Sequence, residues 1–258
     1  MCELLGMSFN LPVNSKISFK GFQQRGKNNP DGWGIAYYKN QQALIKKEPK
    51  NAAVSSDFLN NENNLENINS KIIIGHVRKM SQGKPSYNNT HPFKRDLDGK
   101  EYLFAHNGTV HCNNFDLSFF KPIGGTDSEH IFCYLLESIQ EKNIINWSEN
   151  EFEWLRKKLK KINKSDKLNC LLSNGEYLFC YHDIEGYNGL CFVQRKSPFQ
   201  IIKLKDLDWE IDLKEEKTSD QIGYIIATKP LTNEKWIEFK EGELIIFING
   251  RMIYSTCG

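Results

Sequence analysis

The chain reads as an α+β protein: two packed, largely antiparallel sheets with a helical layer on each side. Three observations predict it. Short apolar or alternating runs recur along most of the 258 residues, the pattern of strands. Turn signals between neighbouring runs point to hairpins rather than to βαβ crossovers. The best-signalled helices are consecutive and lie in the middle of the chain, so helices and strands segregate.

The elements follow in order. Cys2 to Ser8 is apolar and bounded by Asn and Pro. Gly34 to Tyr38 follows a Pro-Asp-Gly turn, and Ala43 to Lys46 pairs with it through Asn40-Gln41. Asp57 to Ser70 is Asn-rich and reads as a surface excursion. Lys71 to Val77 is β-branched and nearly continuous, as expected of a strand covered on both faces. Tyr102 to Ala105 follows. In the second half come Leu168 to Leu172, Tyr177 to Tyr181, Leu190 to Val193, Gly223 to Thr228 and Glu243 to Ile248. Ser173-Asn174-Gly175-Glu176 is a hairpin turn. Thr126 with Glu129, and Ser148 with Glu151, have the spacing of capping boxes. Apolar residues then recur at helical spacing: Ile131, Phe132, Leu135, Leu136 and Ile139, then Phe152, Leu155, Leu159 and Ile162. The whole of 1–258 is expected to form one domain.

Composition narrows the function. A net charge of +2 argues against nucleic acid, and the basic run Arg156 to Lys161 reads as a solvated helix face. No apolar run reaches the ~18 residues of a membrane span, and the N-terminus lacks a secretory pattern. The seven Cys are odd in number and include no C-x-x-C pair, which fits a reducing cytoplasm. The six His include no H-E-x-x-H, so a metal site is only weakly signalled, and the expectation is of no metal or other cofactor.

Chemistry concentrates in four short segments. Cys2 follows the initiator Met, and a small second residue favours removal of Met1. The new N-terminus would then carry a thiol and, two bonds away, an α-amine, groups that titrate near ~8.5 and ~8. Such an amine can activate the thiol without a catalytic His. Gly75-His76-Val77-Arg78 ends a strand on a guanidinium, a rigid fork suited to a carboxylate. Ala105-His106-Asn107-Gly108-Thr109 ends another. An Asn amide beside a Gly N–H can form paired oxyanion donors, or simply a turn. Gly124-Gly125-Thr126-Asp127-Ser128-Glu129 opens a helix and offers the Asp127 carboxylate to an ammonium group.

In this order the four segments resemble the class II glutamine amidotransferases, whose glutaminase domain is an N-terminal-nucleophile hydrolase. Asn29 to Gly34, Thr228 to Thr232 and Trp236 are similar to the stand-alone YafJ-type branch. The resemblance runs from Cys2 to about Ile248. It implies a four-layer α-β-β-α sandwich. It also implies a role for each matching residue. Cys2 is the nucleophile and its amine the base. Asn107 and Gly108 form the oxyanion hole. Arg78 grips the α-carboxylate of glutamine and Asp127 its α-ammonium, with His106 in the same substrate site. Beyond Arg78 the family pattern of Ala-Thr becomes Met80-Ser81. Ser81 keeps the hydroxyl for substrate, and Met80 is bulkier than Ala. The implied reaction cleaves the γ-amide of glutamine or of a γ-glutamyl compound through a thioester on Cys2. The freed ammonia goes to water or to a separate ammonia-accepting subunit. A non-catalytic glutamine-binding module using Arg78 and Asp127 is the alternative.

Overall fold

The computed structural model describes every residue except 15, 56–67, 81–83 and 257–258. The chain begins with β1 (Glu3–Asn14) and helix α1 (Lys16–Gln24). The hairpin β2 (Trp33–Lys39) and β3 (Gln42–Glu48) follows, then β4 (Asn69–Val77) and the hairpin β5 (Phe93–Leu97) and β6 (Lys100–Thr109). Helices α2 (Asp127–Glu141) and α3 (Glu149–Asn163) precede β7 (Lys167–Ser173), β8 (Tyr177–Tyr181) and β9 (Cys191–Lys196). Next come β10 (Ile201–Lys203), β11 (Glu210–Asp212) and the single turn α4 (Leu213–Glu216). The chain ends with β12 (Ile222–Ala227), β13 (Ile237–Glu238), β14 (Leu244–Ile248) and β15 (Arg251–Ser255).

Thirteen of these strands form two antiparallel sheets, in the orders β13-β9-β12-β1-β4-β2-β3 and β15-β14-β8-β7-β6-β5. Side-chain alternation along the strands of these two sheets sorts their apolar residues into three cores, and a fourth, small cluster of Phe199, Ile202, Leu204 and Leu213 lies by β10 and α4. Leu4, Ile72, Ile74, Leu103, Ala105, Leu171 and Phe247 fill the space between the sheets. Leu5, Met7, Ile73 and Val77, on the opposite faces of β1 and β4, pack with Phe19 and Phe22 of α1. Phe104, Leu172 and Phe179 pack against Phe132, Leu136 and Leu155 of α2 and α3. Three cores separate four layers, the α-β-β-α sandwich. The sheets approach closely at Gly6, where a Cβ would lie 3.2 Å from Leu171 Cδ1.

Local sequence explains the elements. Asn40 and Gln41 sit at φ of 51° and 66°, the left-handed pair that a two-residue hairpin needs. Ser148 N–H donates to the Glu151 carboxylate at 3.0 Å, completing the box at the start of α3. The box at α2 is only half made. Thr126 Oγ1 accepts from Glu129 N–H at 3.2 Å. The Glu129 carboxylate instead accepts from Gly124 N–H at 2.6 Å and pairs with Arg95. That diversion ties the loop ahead of α2 to β5. Of the Asn-rich stretch read as a surface excursion, 57–67 lies outside the described residues, whereas Asn69 and Ser70 begin β4. The basic run lies on α3, with Arg156 paired to Glu153 at 2.7 Å. No helix of the described residues is long and apolar enough to cross a membrane. Cys2, Cys112, Cys133, Cys170, Cys180 and Cys191 are free thiols.

Candidate active site

Strand register brings three of the four sequence segments to one end of the sandwich. In the first sheet β1 lies between β12 and β4, with Glu3 opposite Val77 and Leu5 opposite Ala227. Cys2, just ahead of β1, therefore lies between Arg78, just past β4, and Thr228, just past β12. From the second sheet β6 carries Asn107 to the same place. Asn107 Nδ2 donates to the Cys2 carbonyl at 2.6 Å and to Thr228 Oγ1 at 3.3 Å. Thr228 is fixed in turn by two bonds with Leu4, accepting from its N–H at 2.8 Å and donating to its carbonyl at 3.2 Å.

The thiol is held by the segment after β4. Cys2 Sγ accepts from Lys79 N–H at 3.1 Å and lies 3.2 Å from the Lys79 carbonyl. The Pro30-Asp31-Gly32 turn holds that segment. Arg78 N–H donates to the Gly32 carbonyl at 2.8 Å, Asp31 N–H to the Arg78 carbonyl at 3.0 Å, and Met80 N–H to Asp31 Oδ2 at 2.8 Å. Burial pushes the Cys2 thiol up. The Lys79 N–H, the chain-terminal amine and the Arg78 guanidinium oppose that push by favouring the thiolate. Arg78 is itself nearly buried, at 4% exposure. Burial pulls its pKa down, against the anionic pull of Cys2, Asp31 and Asp127.

The fourth segment joins through α2. Asp127 is the first residue of α2, and its Oδ2 accepts from Val110 N–H at 2.8 Å, just past β6. Its loop is pinned by Glu129 on Gly124 and by Asn89 Oδ1, which accepts from Gly125 N–H at 2.8 Å. A cavity of about 370 Å³ has Asp127, Gly125, Cys112 and His130 in its wall. Gly108 adopts φ +152°, and a Cβ there would stand 1.8 Å from the Lys167 carbonyl oxygen. Only glycine fits.

His106 spends both ring nitrogens inside the protein. Nε2 lies 3.1 Å from the Lys167 carbonyl and Nδ1 2.8 Å from Ser128 Oγ. A carbonyl only accepts, so Nε2 carries the proton and Nδ1 accepts from Ser128. Burial pulls its pKa down and keeps it neutral. This geometry locks β6 to α2 and β7; the ring braces Asn107 and Asp127 and has no nitrogen left for a substrate. His76, opposite Leu4 in the sheet, is fully buried, and burial with its neighbours pulls its pKa to about 3. Its ring lies 4.2 Å from that of His91, the two planes tilted by 34°. Ser81 lies outside the described residues.

Two further residues touch the same centre. Asn188 Nδ2 donates to the Cys2 carbonyl at 2.9 Å, beside Asn107. Asn188 sits at φ 60° between Tyr187 and Gly189, and an Asn beside a Gly reads only as a turn. Thr228 opens a stretch already singled out, but its tie to Asn107 depends on strand register, which spacing alone does not give.

Comparison with known proteins assigns the family. The family model of the class II glutamine amidotransferases matches residues 1–257. The chain belongs to this family. As a class II glutamine amidotransferase it is 46% identical over 99% of its length to an uncharacterized protein of Methanocaldococcus jannaschii, covering 72% of that protein. It is 33% identical over 98% of its length to the Escherichia coli protein named "Putative glutamine amidotransferase YafJ", covering all of it. The resemblance to the YafJ-type branch therefore holds. Among solved structures, one from Pseudomonas aeruginosa described as a "predicted glutamine amidotransferase" superposes with a TM-score of 0.74 at 30% identity, covering 98% of this chain and 100% of that one. The glutamine phosphoribosylpyrophosphate amidotransferase of Bacillus subtilis shares the fold, with a TM-score of 0.66 at 18% identity over 98% of this chain and 48% of that one.

Proposed function

We propose that the chain cleaves the γ-amide of glutamine or of a γ-glutamyl compound, with Cys2 as nucleophile after Met1 is removed. The observation that carries this reading is the convergence on Cys2. Lys79 N–H meets its sulfur at 3.1 Å, and Asn107 meets its carbonyl at 2.6 Å. The freed α-amine takes the thiol proton. The thiolate attacks the γ-carbon, and a tetrahedral oxyanion forms. Asn107 supplies one donor, the N–H that now makes the longer bond to Thr228, and Gly108 N–H supplies the other. The protonated amine gives its proton to the departing nitrogen. Water then cleaves the γ-glutamyl thioester and the thiol is restored. Arg78 binds the substrate α-carboxylate and Asp127 its α-ammonium, a pairing that selects a free amino-acid head group. Ser81 supplies a hydroxyl to the same substrate, and His106 positions the site. The ammonia passes to water or to a separate acceptor subunit.

The test is the intact mass of the native-source protein before and after 6-diazo-5-oxo-L-norleucine, a reactive glutamine mimic. Loss of Met1 and a single adduct on Cys2 are expected. Retained Met1 with no adduct would remove this mechanism and favour a glutamine-binding module.

Arg78→Lys tests the substrate contact. One ammonium replaces a two-pronged guanidinium, and hydrogen bonds to charged groups are worth about 1.5–3 kcal/mol. KM for glutamine should rise by about 10- to 100-fold, with kcat much less affected. Steady-state kinetics with an unchanged KM would take Arg78 out of the site.

A further inference from the structure

Removal of Met1 leaves Cys2 joined to the chain by a single peptide bond. A chain end tied so lightly is poorly ordered unless something holds it. The sheet does not hold it, because the first residue of β1 paired with β4 is Glu3, opposite Val77. Two side-chain amides take the Cys2 carbonyl instead. Asn107 Nδ2 donates to it at 2.6 Å and Asn188 Nδ2 at 2.9 Å. A carbonyl oxygen has two lone pairs and can accept both. The donors come from different parts of the fold, Asn107 from β6 and Asn188 from the loop between β8 and β9. On the other side of Cα the sulfur accepts from Lys79 N–H at 3.1 Å. Holding the carbonyl and the sulfur together fixes where the amine points.

The loop that presents Asn188 is built on one buried anion. Asp183 is 1% exposed. Its Oδ1 accepts from Glu185 N–H at 2.8 Å and from Tyr187 N–H at 3.3 Å. Its Oδ2 accepts from Leu168 N–H and from Asn163 Nδ2, both at 2.7 Å. A buried carboxylate met by four donors is a rigid anchor. Asn169, opposite Asn107 in the β6–β7 register, ties the loop to the same strands. Its Nδ2 donates to the Tyr187 carbonyl, and its Oδ1 accepts from Asp183 N–H at 3.0 Å. Asn188 then turns at φ 60°, a conformation that Asn visits more readily than most residues. A plain connection between two strands needs only a turn. The paired carboxylate beneath this one gives Asn188 a single position.

We propose that Asn188 is a positioning residue for the reaction: with Asn107 it holds the Cys2 carbonyl so that the freed amine faces the thiol. The inference rests on Cys2 being the nucleophile. Asn188 matters most when Asn107 turns its other N–H from Thr228 to the oxyanion. At that moment it keeps the carbonyl, and with it the amine, in place.

Two variants of the full chain test it. Asn188→Gly keeps the left-handed backbone and removes the amide. Asn188→Asp keeps the side-chain shape and puts an acceptor where the donor stood. Glutamine kinetics and the rate of Cys2 labelling by saturating 6-diazo-5-oxo-L-norleucine are measured on both and on the native chain. Asn188→Gly should lower kcat by about 3- to 10-fold, the scale of one hydrogen bond, with KM within about twofold of native. Asn188→Asp should lose more, about 10- to 100-fold. The acidic limb of its kcat/KM profile should also move to higher pH, because a carboxylate beside the α-ammonium favours the charged form. Labelling should slow in the same order. An Asn188 that only fills space gives the reverse ranking, with Asp milder than Gly, and an unmoved pH profile. That ranking, or native kcat in both variants, would overturn the proposal. Should circular dichroism show Asn188→Asp unfolded, the split between kcat and KM in Asn188→Gly decides. A native chain labelled on Cys2 no faster than Asn188→Gly removes this inference alone. A native chain that takes no label removes the Cys2 reading and this inference with it.

Discussion

Cys2→Ala is expected to reduce glutamine hydrolysis by at least about 10⁴-fold, the scale of losing a covalent nucleophile, while the protein stays folded. Both halves follow from where the side chain sits. Among the described residues the thiol's hydrogen-bond contact is with the backbone of Lys79, accepting from its N–H at 3.1 Å. The Cys2 backbone carbonyl, which Asn107 and Asn188 hold, is untouched by the substitution. The Cys2 sulfur belongs to none of the three cores and takes no part in the strand register. Thermal unfolding should therefore shift little, and glutamine should still bind to Arg78 and Asp127. Turnover close to that of the native chain would refute Cys2 as nucleophile. A folded variant that binds glutamine and does not turn it over separates binding from chemistry. Loss of folding would show instead that the sulfur–Lys79 contact is structural.

How much of this centre could be read without coordinates depends on whether a feature is local. The turn at Asn40-Gln41, the turn at Asn174-Gly175 and the Ser148 cap are decided by neighbours in sequence, and the structure has them where the sequence puts them. Features that depend on distant partners were not legible. Glu129 has the spacing of a reciprocal cap, but the Arg95 guanidinium and Gly124 N–H are stronger claims on its carboxylate. Strand β5 is hidden because Lys94, Arg95 and Asp96 interrupt its apolar residues, as suits an edge strand. Helix α1 shows only Phe19 and Phe22 as an apolar face, too short a pattern to stand out. In the site, Cys2, Arg78 and Asn107 stand at strand ends, where a motif marks them. His106 carries the same motif, yet both its nitrogens bond within the protein. Asn188 lies in no motif and still touches the Cys2 carbonyl.

Gly108→Ala should damage both stability and catalysis, and the two losses have one cause. The residue sits at φ +152°, a conformation that L side chains rarely adopt. Its new Cβ would fall 1.8 Å from the Lys167 carbonyl oxygen and 2.7 Å from His106 Nε2. The first neighbour is backbone of β7, paired with β6 through Gly108 and Leu168, so it cannot swing away as a side chain could. Backbone strain of this kind costs about 1–3 kcal/mol before any clash is counted. A cost near the top of that range lowers Tm by about 6–12 °C in a chain of this size. Relief requires the end of β6 to part from β7. That movement carries Asn107 off the Cys2 carbonyl and breaks the bond from His106 to Lys167. With Asn107 displaced, kcat should fall by about 10²–10³-fold, the loss of one oxyanion donor. Asn107→Ala gives the comparison: a similar loss in kcat with a smaller loss in Tm, because it removes the donor without forcing the strands apart. Calorimetry and single-turnover kinetics on the two variants would separate these effects. A Gly108→Ala protein with unchanged Tm would contradict the packing of β6 on β7. Unchanged kcat in Asn107→Ala would take that side chain out of the oxyanion hole and leave it the structural task of holding the Cys2 carbonyl.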